Sequence, residues 1–142
     1  MTPSVEIEGT PLHAGGASGP IVKLDGPLSF WGGVDESGQI VDRHHPQLGV
    51  SLRGRVLAMT SGRGSSSSAN VLAELLRTGN GPAAIVMTEP DPIITLGALV
   101  AGELYERPTP VVVVSPADFA LMTEGAQSII HATKRSATIT SA

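Results

Sequence analysis

The chain has 142 residues, a length that fits one domain with one core, so we expect residues 1–142 to form a single domain. Nine Lys and Arg residues stand against 13 Asp and Glu residues, and the net charge is -4. The positive charges are scattered along the chain, whereas nucleic-acid phosphates select clustered positive charge. The composition therefore disfavours nucleic acid as a partner.

The sequence contains no cysteine. Disulfides, thiolate zinc sites, cysteine nucleophiles and self-ligated iron-sulfur clusters all need cysteine thiols, so each of them is excluded. Any such cofactor would have to come from another chain. Residues 1–16 lack the features of a signal peptide, and no apolar stretch approaches the ~18 residues that cross a bilayer. We therefore expect a cytoplasmic protein with no membrane partner.

Aromatic residues are scarce, so the core must be built from Val, Ile, Leu and Ala. The four aromatic residues are Phe30, Trp31, Tyr105 and Phe119. A short chain with so few large apolar side chains buries little apolar surface by itself. A partner that covers more of that surface is a natural source of stability. We therefore expect this domain to be half of a larger assembly.

The first half of the chain alternates short β-like runs with Gly and Pro. These runs predict strands at residues 20–24, 28–31, 39–41 and 50–52. Asp35 and Gly38 occupy the first and fourth positions of a predicted type I turn. That turn would fold residues 31–34 back toward residues 39–41.

The second half predicts strands that alternate with helices. The apolar runs of strand length, typical of strands buried on both faces, are residues 56–59, 83–87 and 111–114. Helices are predicted at residues 68–78, 93–105 and 117–124, with Gly79 as a left-handed cap on the first and Pro108 closing the second. The tail, residues 128–140, predicts one last strand or a strand pair.

This rhythm predicts an α/β fold with right-handed parallel crossovers in its second half. The loops at residues 61–67, 88–92 and 115–118 should then gather at one edge of the sheet. Ligands of open α/β sheets bind at that edge.

The loop with sequence SGRGSSSS, residues 61–68, is the sharpest local feature. A flexible linker is one interpretation, but about eight residues between a strand and a helix is typical of a packed connection. The glycines would let the backbone approach a ligand, and the helix start offers N–H groups and the positive end of its dipole. Arg63 adds a forked donor. The loop therefore predicts a pocket for a carboxylate or a phosphate.

The same loop disfavours nucleotide binding, because no Gly-Lys-Ser/Thr follows and Ser67 stands where a dinucleotide fingerprint needs its third glycine. Helix-start amides and a guanidinium would stabilise a serine alkoxide, which makes a serine a plausible proton acceptor. Ser65 and Ser66 are equally good candidates on spacing alone. Capping the helix is the expected role for Ser67 or Ser68.

Two further segments have ambiguous roles. Phe30 and Trp31 precede Gly32 and Gly33. An aromatic pair lies in the core more often than it contacts a ligand. Two adjacent glycines, which have no side chains, instead suggest that another group packs against the backbone here. The segment DRHHP, residues 42–46, has no third His or any Cys at ligand spacing, so we expect a surface or interface loop and no metal site.

Three strings together resemble the small subunit of aconitase X. They are residues 27–35, then Asp42 with His45, Pro46 and Gly49, then residues 62–66, and the likeness continues through residues 82–88, 97–101 and 110–114. The resemblance implies a small swivelling β/β/α domain that closes over a large subunit. That large subunit would carry an iron or iron-sulfur centre, and this chain would hold no metal.

Bacterial members of that family are similar to cis-3-hydroxy-L-proline dehydratase, and archaeal members resemble a phosphomevalonate dehydratase. Both reactions remove a proton and a hydroxyl from adjacent carbons. The resemblance implies that Ser65 is the general base, with Arg63, Gly64 and Ser66 around the substrate carboxylate. Trp31 and Gly32 are also expected to contact the substrate.

Ser66, Ser67 and Trp31 depart from the archaeal pattern, which favours hydroxyproline as the substrate. The sequence thus predicts a hydro-lyase subunit that is inactive alone and needs the aconitase X large subunit. The alternatives are the small subunit of a phosphomevalonate dehydratase and a non-catalytic domain that binds an anion or acts as a lid.

Overall fold

The computed structural model describes residues 4–63, 65–106 and 108–142. Within these ranges the strands are β1 (Val5–His13), β2 (Gly15–Lys23), β3 (Val56–Ala58), β4 (Ala84–Met87), β5 (Val111–Val113), β6 (Gln127–Ala132) and β7 (Ala137–Ser141). The helices are the short turn α1 (Phe30–Gly33), then α2 (Ser67–Thr78), α3 (Pro92–Tyr105) and α4 (Pro116–Leu121). No described helix has the length and apolar character needed to cross a membrane.

The strands form one closed, barrel-like sheet in the order β1-β5-β4-β3-β2-β6-β7. Val56 of β3 pairs with Ala84 of β4, and Ile85 of β4 pairs with Val111 of β5, so the parallel pairing predicted for these strands is observed. The expectation of an open sheet is wrong, because β7 returns to pair with β1.

The sheet closes because β1 and β2 are long enough to pair on two sides. Residues 5–9 of β1 pair with β7 and residues 10–13 with β5, while β2 pairs with β6 and then with β3. Strand β1 and the first half of β2 are not predicted from the sequence. Gly15, Gly16 and Gly19 weaken the strand signal of β2, and Gly9 and Pro11 weaken that of β1. Gly19 is needed at a close approach, because a Cβ there would lie 2.5 Å from the Gly54 carbonyl oxygen.

Strands β3, β4 and β5 are buried on both faces, as their apolar runs predict. Leu57 and Ile85 belong to an apolar cluster shared with α2 and α3, whereas Val56 and Val86 belong to a second cluster inside the closed sheet. The chain therefore builds two apolar layers on either side of one sheet, where its length alone suggested one core.

The helices lie close to their predicted positions. Gly79, at φ 78°, ends α2 as predicted, but the residue that ends α3 is Glu106 in the left-handed region and not Pro108. α4 stops at Leu121, three residues before its predicted end. α3 packs tightly on α2 at Gly97, where a Cβ would lie 2.9 Å from the Ala69 carbonyl oxygen.

The segment between β2 and β3 folds over the cluster outside the sheet. The strands predicted at residues 28–31, 39–41 and 50–52 are wrong. Residues 30 and 31 belong to α1, and the other segments form only isolated bridges. Phe30, Ile40 and Leu52 are buried. The predicted turn is confirmed by the hydrogen bond from the Gly38 N–H to the Asp35 carbonyl, 3.0 Å. The strand pair predicted as one option for the tail is also observed as β6 and β7.

Candidate functional site

A cleft of about 550 Å³ lies where the loop after β3 meets the segment between β2 and β3. The residues that line it are Ser29, Asp42, His44, Arg63 and Ser65. The structure thus brings together Arg63 and Ser65, which the sequence analysis selected. Gly64, predicted as a substrate contact, lies outside the described residues.

The backbone before Arg63 is held on both sides. The Arg63 N–H donates to the Leu28 carbonyl at 3.0 Å, and Gly62 bridges to Leu28. A Cβ on Gly62 would lie 2.6 Å from Oδ2 of Asp91, whose Oδ1 accepts the N–H groups of Ile93 and Ile94 at 2.9 and 3.0 Å. The loop therefore lies directly against the start of α3, which Asp91 caps.

Ser65 precedes α2 and organises its first turn. Its Oγ accepts the Ser67 N–H at 3.2 Å, and its carbonyl accepts the Ser68 N–H at 2.9 Å. The Ala69 N–H donates to the Ser66 carbonyl at 3.3 Å. Three N–H groups of the helix start therefore already have acceptors within the chain. The prediction that the helix start offers free donors to a ligand is wrong for these three groups. The N–H on Oγ still favours negative charge on that oxygen.

The expectation that Ser67 or Ser68 caps α2 is wrong. Ser66 is the residue at the cap position, and its side chain makes no capping bond. Ser68 is buried; its Oγ accepts the Trp31 N–H at 3.2 Å and lies 3.3 Å from Oγ of Ser29. These bonds attach the segment around Ser29 to the first turn of α2, which places Ser29 in the cleft.

The aromatic pair divides between the core and the surface. Phe30 is fully buried, whereas 59% of Trp31 is exposed. Gly32 has φ +77°, a conformation that favours glycine, and nothing lies within 4 Å of a Cβ there. The backbone of Gly33 packs against Leu28, since a Cβ would lie 3.4 Å from its Cδ1. The prediction that the aromatic pair lies in the core is therefore confirmed for Phe30 and wrong for Trp31.

The two adjacent histidines have different surroundings. His45 is buried: its Nδ1 accepts the Gln47 N–H at 3.0 Å, and its Nε2 lies 3.1 Å from the Gly26 carbonyl. Both ring nitrogens are thus engaged with backbone groups, which gives His45 a structural role. His44 is exposed and lines the cleft, and its backbone N–H donates to Oδ1 of Asp42 at 2.9 Å.

Ser29, Asp42 and His44 are cleft residues that the sequence does not indicate. Ser29 lies in a segment predicted as a strand, and residues 42–46 are predicted as a surface or interface loop. A usable signal was present in the turn predicted at residues 35–38. That turn folds the chain back on itself. Ser29, which precedes the turn, and Asp42, which follows it, thus both reach the cleft beside the loop before α2.

The donor atoms of this chain do not fit an iron or iron-sulfur centre. The sequence has no cysteine, and no group of three His, Asp or Glu side chains among the described residues could hold a metal ion. The cleft itself presents one carboxylate and one imidazole.

A second cleft of about 580 Å³ lies beside α2, and it differs in charge. Asp35, Glu36 and Glu74 line it, with no Lys, Arg or His among its described lining residues. Such a surface repels anions. For a carboxylate or phosphate ligand, the cleft with Arg63 and Ser65 is therefore the better candidate.

Comparison with known proteins identifies the family to which the chain is similar. The family model for the aconitase X swivel domain matches residues 6–140. Over 101 residues, 70% of this chain, the sequence is 52% identical to a cis-3-hydroxy-L-proline dehydratase of Pseudomonas aeruginosa. Over 107 residues, 74% of this chain, it is 36% identical to a phosphomevalonate dehydratase small subunit of Methanothermobacter thermautotrophicus, and the match spans 82% of that protein.

These relatives differ greatly in length. The chain spans less than a fifth of the curated hydroxyproline dehydratases that it matches. Among solved structures, a chain of Thermococcus kodakaraensis aconitase X superposes with a TM-score of 0.82 at 27% identity, covering 95% of this chain and 98% of that one.

Proposed function

This chain belongs to the aconitase X swivel domain family, and from that membership we propose that it is the small subunit of a two-chain hydro-lyase. The proposed reaction dehydrates cis-3-hydroxy-L-proline to a pyrroline-2-carboxylate. The observation that carries the proposal is that Ser65 and Arg63 line one cleft, since the first offers a base and the second a carboxylate partner.

The choice of substrate is supported by sequence similarity. Two proteins named cis-3-hydroxy-L-proline dehydratase are 47% and 52% identical over their matched regions, against 32% to 40% for phosphomevalonate dehydratase small subunits. The second activity is the alternative, and a direct assay distinguishes the two.

A separate large subunit is the proposed partner. A relative named a small subunit and an aconitase X chain of matching extent both support this arrangement. Large apolar side chains are exposed on the segments that border the cleft, namely Trp31, Val41 and Leu48. A partner that covers them would gain free energy from their burial. Because the donor atoms of this chain do not fit the metal centre, we propose that the large subunit holds it.

The proposed chemistry of this chain is removal of a proton. The reacting hydrogen is on the carbon that bears the carboxylate, and the hydroxyl is on the neighbouring carbon. Oγ of Ser65, as the alkoxide, takes the proton and becomes a neutral hydroxyl. The C–H electron pair forms the C=C bond as the C–O bond breaks, and the leaving hydroxide takes one proton from solvent and departs as water. Ser65 then returns its proton to solvent, so the step consumes no net proton. Negative charge spreads into the carboxylate during this step, where the Arg63 guanidinium stabilises it.

Four other residues are proposed as substrate contacts from their match to the family: Gly64, Ser66, Trp31 and Gly32. Ser66 and Trp31 are both exposed, and the Trp31 backbone is tied to Ser68 in the first turn of α2. A substrate enclosed between two subunits would meet this side of the cleft.

The test of the proposed function is an assay of the reconstituted pair. The chain is co-expressed with the aconitase X large subunit, purified without oxygen, and supplied with cis-3-hydroxy-L-proline or phosphomevalonate. We expect water loss from hydroxyproline by the pair and none from either chain alone. Turnover of phosphomevalonate only would reverse the choice of substrate, and failure of the chains to copurify would remove the two-chain proposal.

Arg63→Gln is expected to raise the KM of the reconstituted pair for its carboxylate substrate about 10- to 100-fold, because a charge-assisted hydrogen bond is lost. Steady-state kinetics measures the effect. Arg135→Gln, at an exposed arginine between β6 and β7, is the matched control and should leave KM unchanged. Equal KM values for the two variants would contradict the assignment of Arg63.

A further inference from the structure

The cleft holds two opposite charges that do not pair with each other. Arg63 and Asp42 both line it, yet within the described part of the chain the ion pair present is Arg77 with Glu74, on α2. The Asp42 carboxylate and the Arg63 guanidinium are therefore more than 4 Å apart. A ligand that carries both charges can lie between them and pair with each.

The backbone around Asp42 is well anchored. Its carbonyl accepts the His45 N–H at 3.1 Å, and the buried His45 ring is hydrogen-bonded at both nitrogens. Oδ1 of Asp42 accepts the His44 N–H, so this carboxylate oxygen orients the side chain. A carboxylate has about four lone-pair positions, which leaves acceptor capacity for a ligand in the cleft.

We propose that Asp42 binds the ammonium group of an α-amino acid, and so forms an ammonium subsite beside the carboxylate subsite at Arg63. This inference rests on the proposed function and deepens it. In an α-amino acid the carboxylate and the ammonium are attached to one carbon, so one small ligand supplies both charges. The secondary ammonium of a proline ring carries two N–H donors, either of which can donate to Asp42.

The test uses Asp42→Asn in the reconstituted pair. Asn keeps an oxygen that accepts the His44 N–H and removes only the charge. We expect KM for cis-3-hydroxy-L-proline to rise about 10- to 100-fold, the loss expected for one hydrogen bond to a charged group. The matched control is Asp35→Asn, because Oδ1 of Asp35 likewise accepts the N–H groups of Ser37 and Gln39, both at 3.0 Å, outside this cleft.

A substrate analogue without the ammonium separates charge recognition from general damage. 3-Hydroxyoxolane-2-carboxylate has a ring oxygen in place of the nitrogen and is used as a competitive inhibitor. We expect Asp42→Asn to leave its inhibition constant unchanged or to lower it while KM for the amino acid rises. Equal weakening of both ligands, or no change in KM, would overturn the subsite.

Two further outcomes are distinguishable. If Asp42→Asn weakens association of the subunits with KM unchanged, Asp42 pairs with a basic group of the partner and the proposal is wrong. If the wild-type pair does not turn over hydroxyproline, the proposed function fails. Calorimetric binding of L-proline to the wild-type and Asp42→Asn pairs then still decides whether the subsite exists: equal affinities would reject it.

Discussion

Ser65→Ala is expected to lower turnover of the reconstituted pair by about two to four orders of magnitude, the usual cost of losing a general base. The subunits should still assemble, since the replaced hydroxyl lies in the cleft and its backbone contacts remain. KM should change much less than kcat, because the binding charges at Arg63 are untouched. Steady-state kinetics together with size-exclusion chromatography of the complex measures both effects.

The variant also removes the acceptor of the Ser67 N–H, so a second variant separates the two roles of Ser65. In Ser65→Asn the side-chain oxygen can accept the N–H two residues later, as in an Asx turn, but there is no hydroxyl. We expect this variant to be as inactive as Ser65→Ala. The matched control is Ser67→Ala, at a half-buried serine that begins α2 and does not line the cleft, and this variant should keep near wild-type turnover.

Each role of Ser65 thus has its own result. Near-normal turnover of Ser65→Ala would make the chain a lid or an anion-binding domain without chemistry. Low turnover of Ser65→Ala with normal turnover of Ser65→Asn would show that the loop conformation matters and the hydroxyl does not. Only the loss of activity in both variants supports proton removal by Ser65.

The second half of the fold could be predicted because its signals are local. The apolar runs of β3, β4 and β5 are separated by helices with clear caps, such as Asp91 and Gly79, and each signal spans a few residues. Closure of the sheet could not be predicted in this way. It depends on pairing between residues at opposite ends of the chain, as when Val5 lies opposite Ser141.

The candidate site could likewise be predicted only in part from the sequence. Arg63 and Ser65 belong to one glycine-rich loop, so their proximity follows from sequence. Asp42 reaches the cleft through the fold of the segment between β2 and β3, where single bridges such as Val34 with Ile40 replace strands. Runs of three or four residues carry too little alternation to show whether they join a sheet or pack over it.

Phe30 is buried and the adjacent Trp31 is exposed, so removal of the two side chains should affect the stability of the chain very differently. Phe30→Ala should lower the free energy of unfolding by about 3–5 kcal/mol, because it removes a fully buried ring from the cluster between the sheet and the helices. Domains of this size have about 5–15 kcal/mol in total. The variant is therefore expected to unfold at a much lower urea concentration than the wild type.

Trp31→Ala is the matched variant on the adjacent residue. Because 59% of Trp31 is exposed and its hydrogen bonds to described residues are made by its backbone, removal of its side chain should change the stability of the chain by less than about 0.5 kcal/mol. Urea unfolding of the full chain followed by circular dichroism compares the two, a choice that avoids the fluorescence of the sole tryptophan. Equal destabilisation would show that Trp31 packs into the fold, and it would then be unavailable to a substrate or a partner. A stable Trp31→Ala chain that binds the large subunit more weakly would instead locate the partner on this side of the cleft.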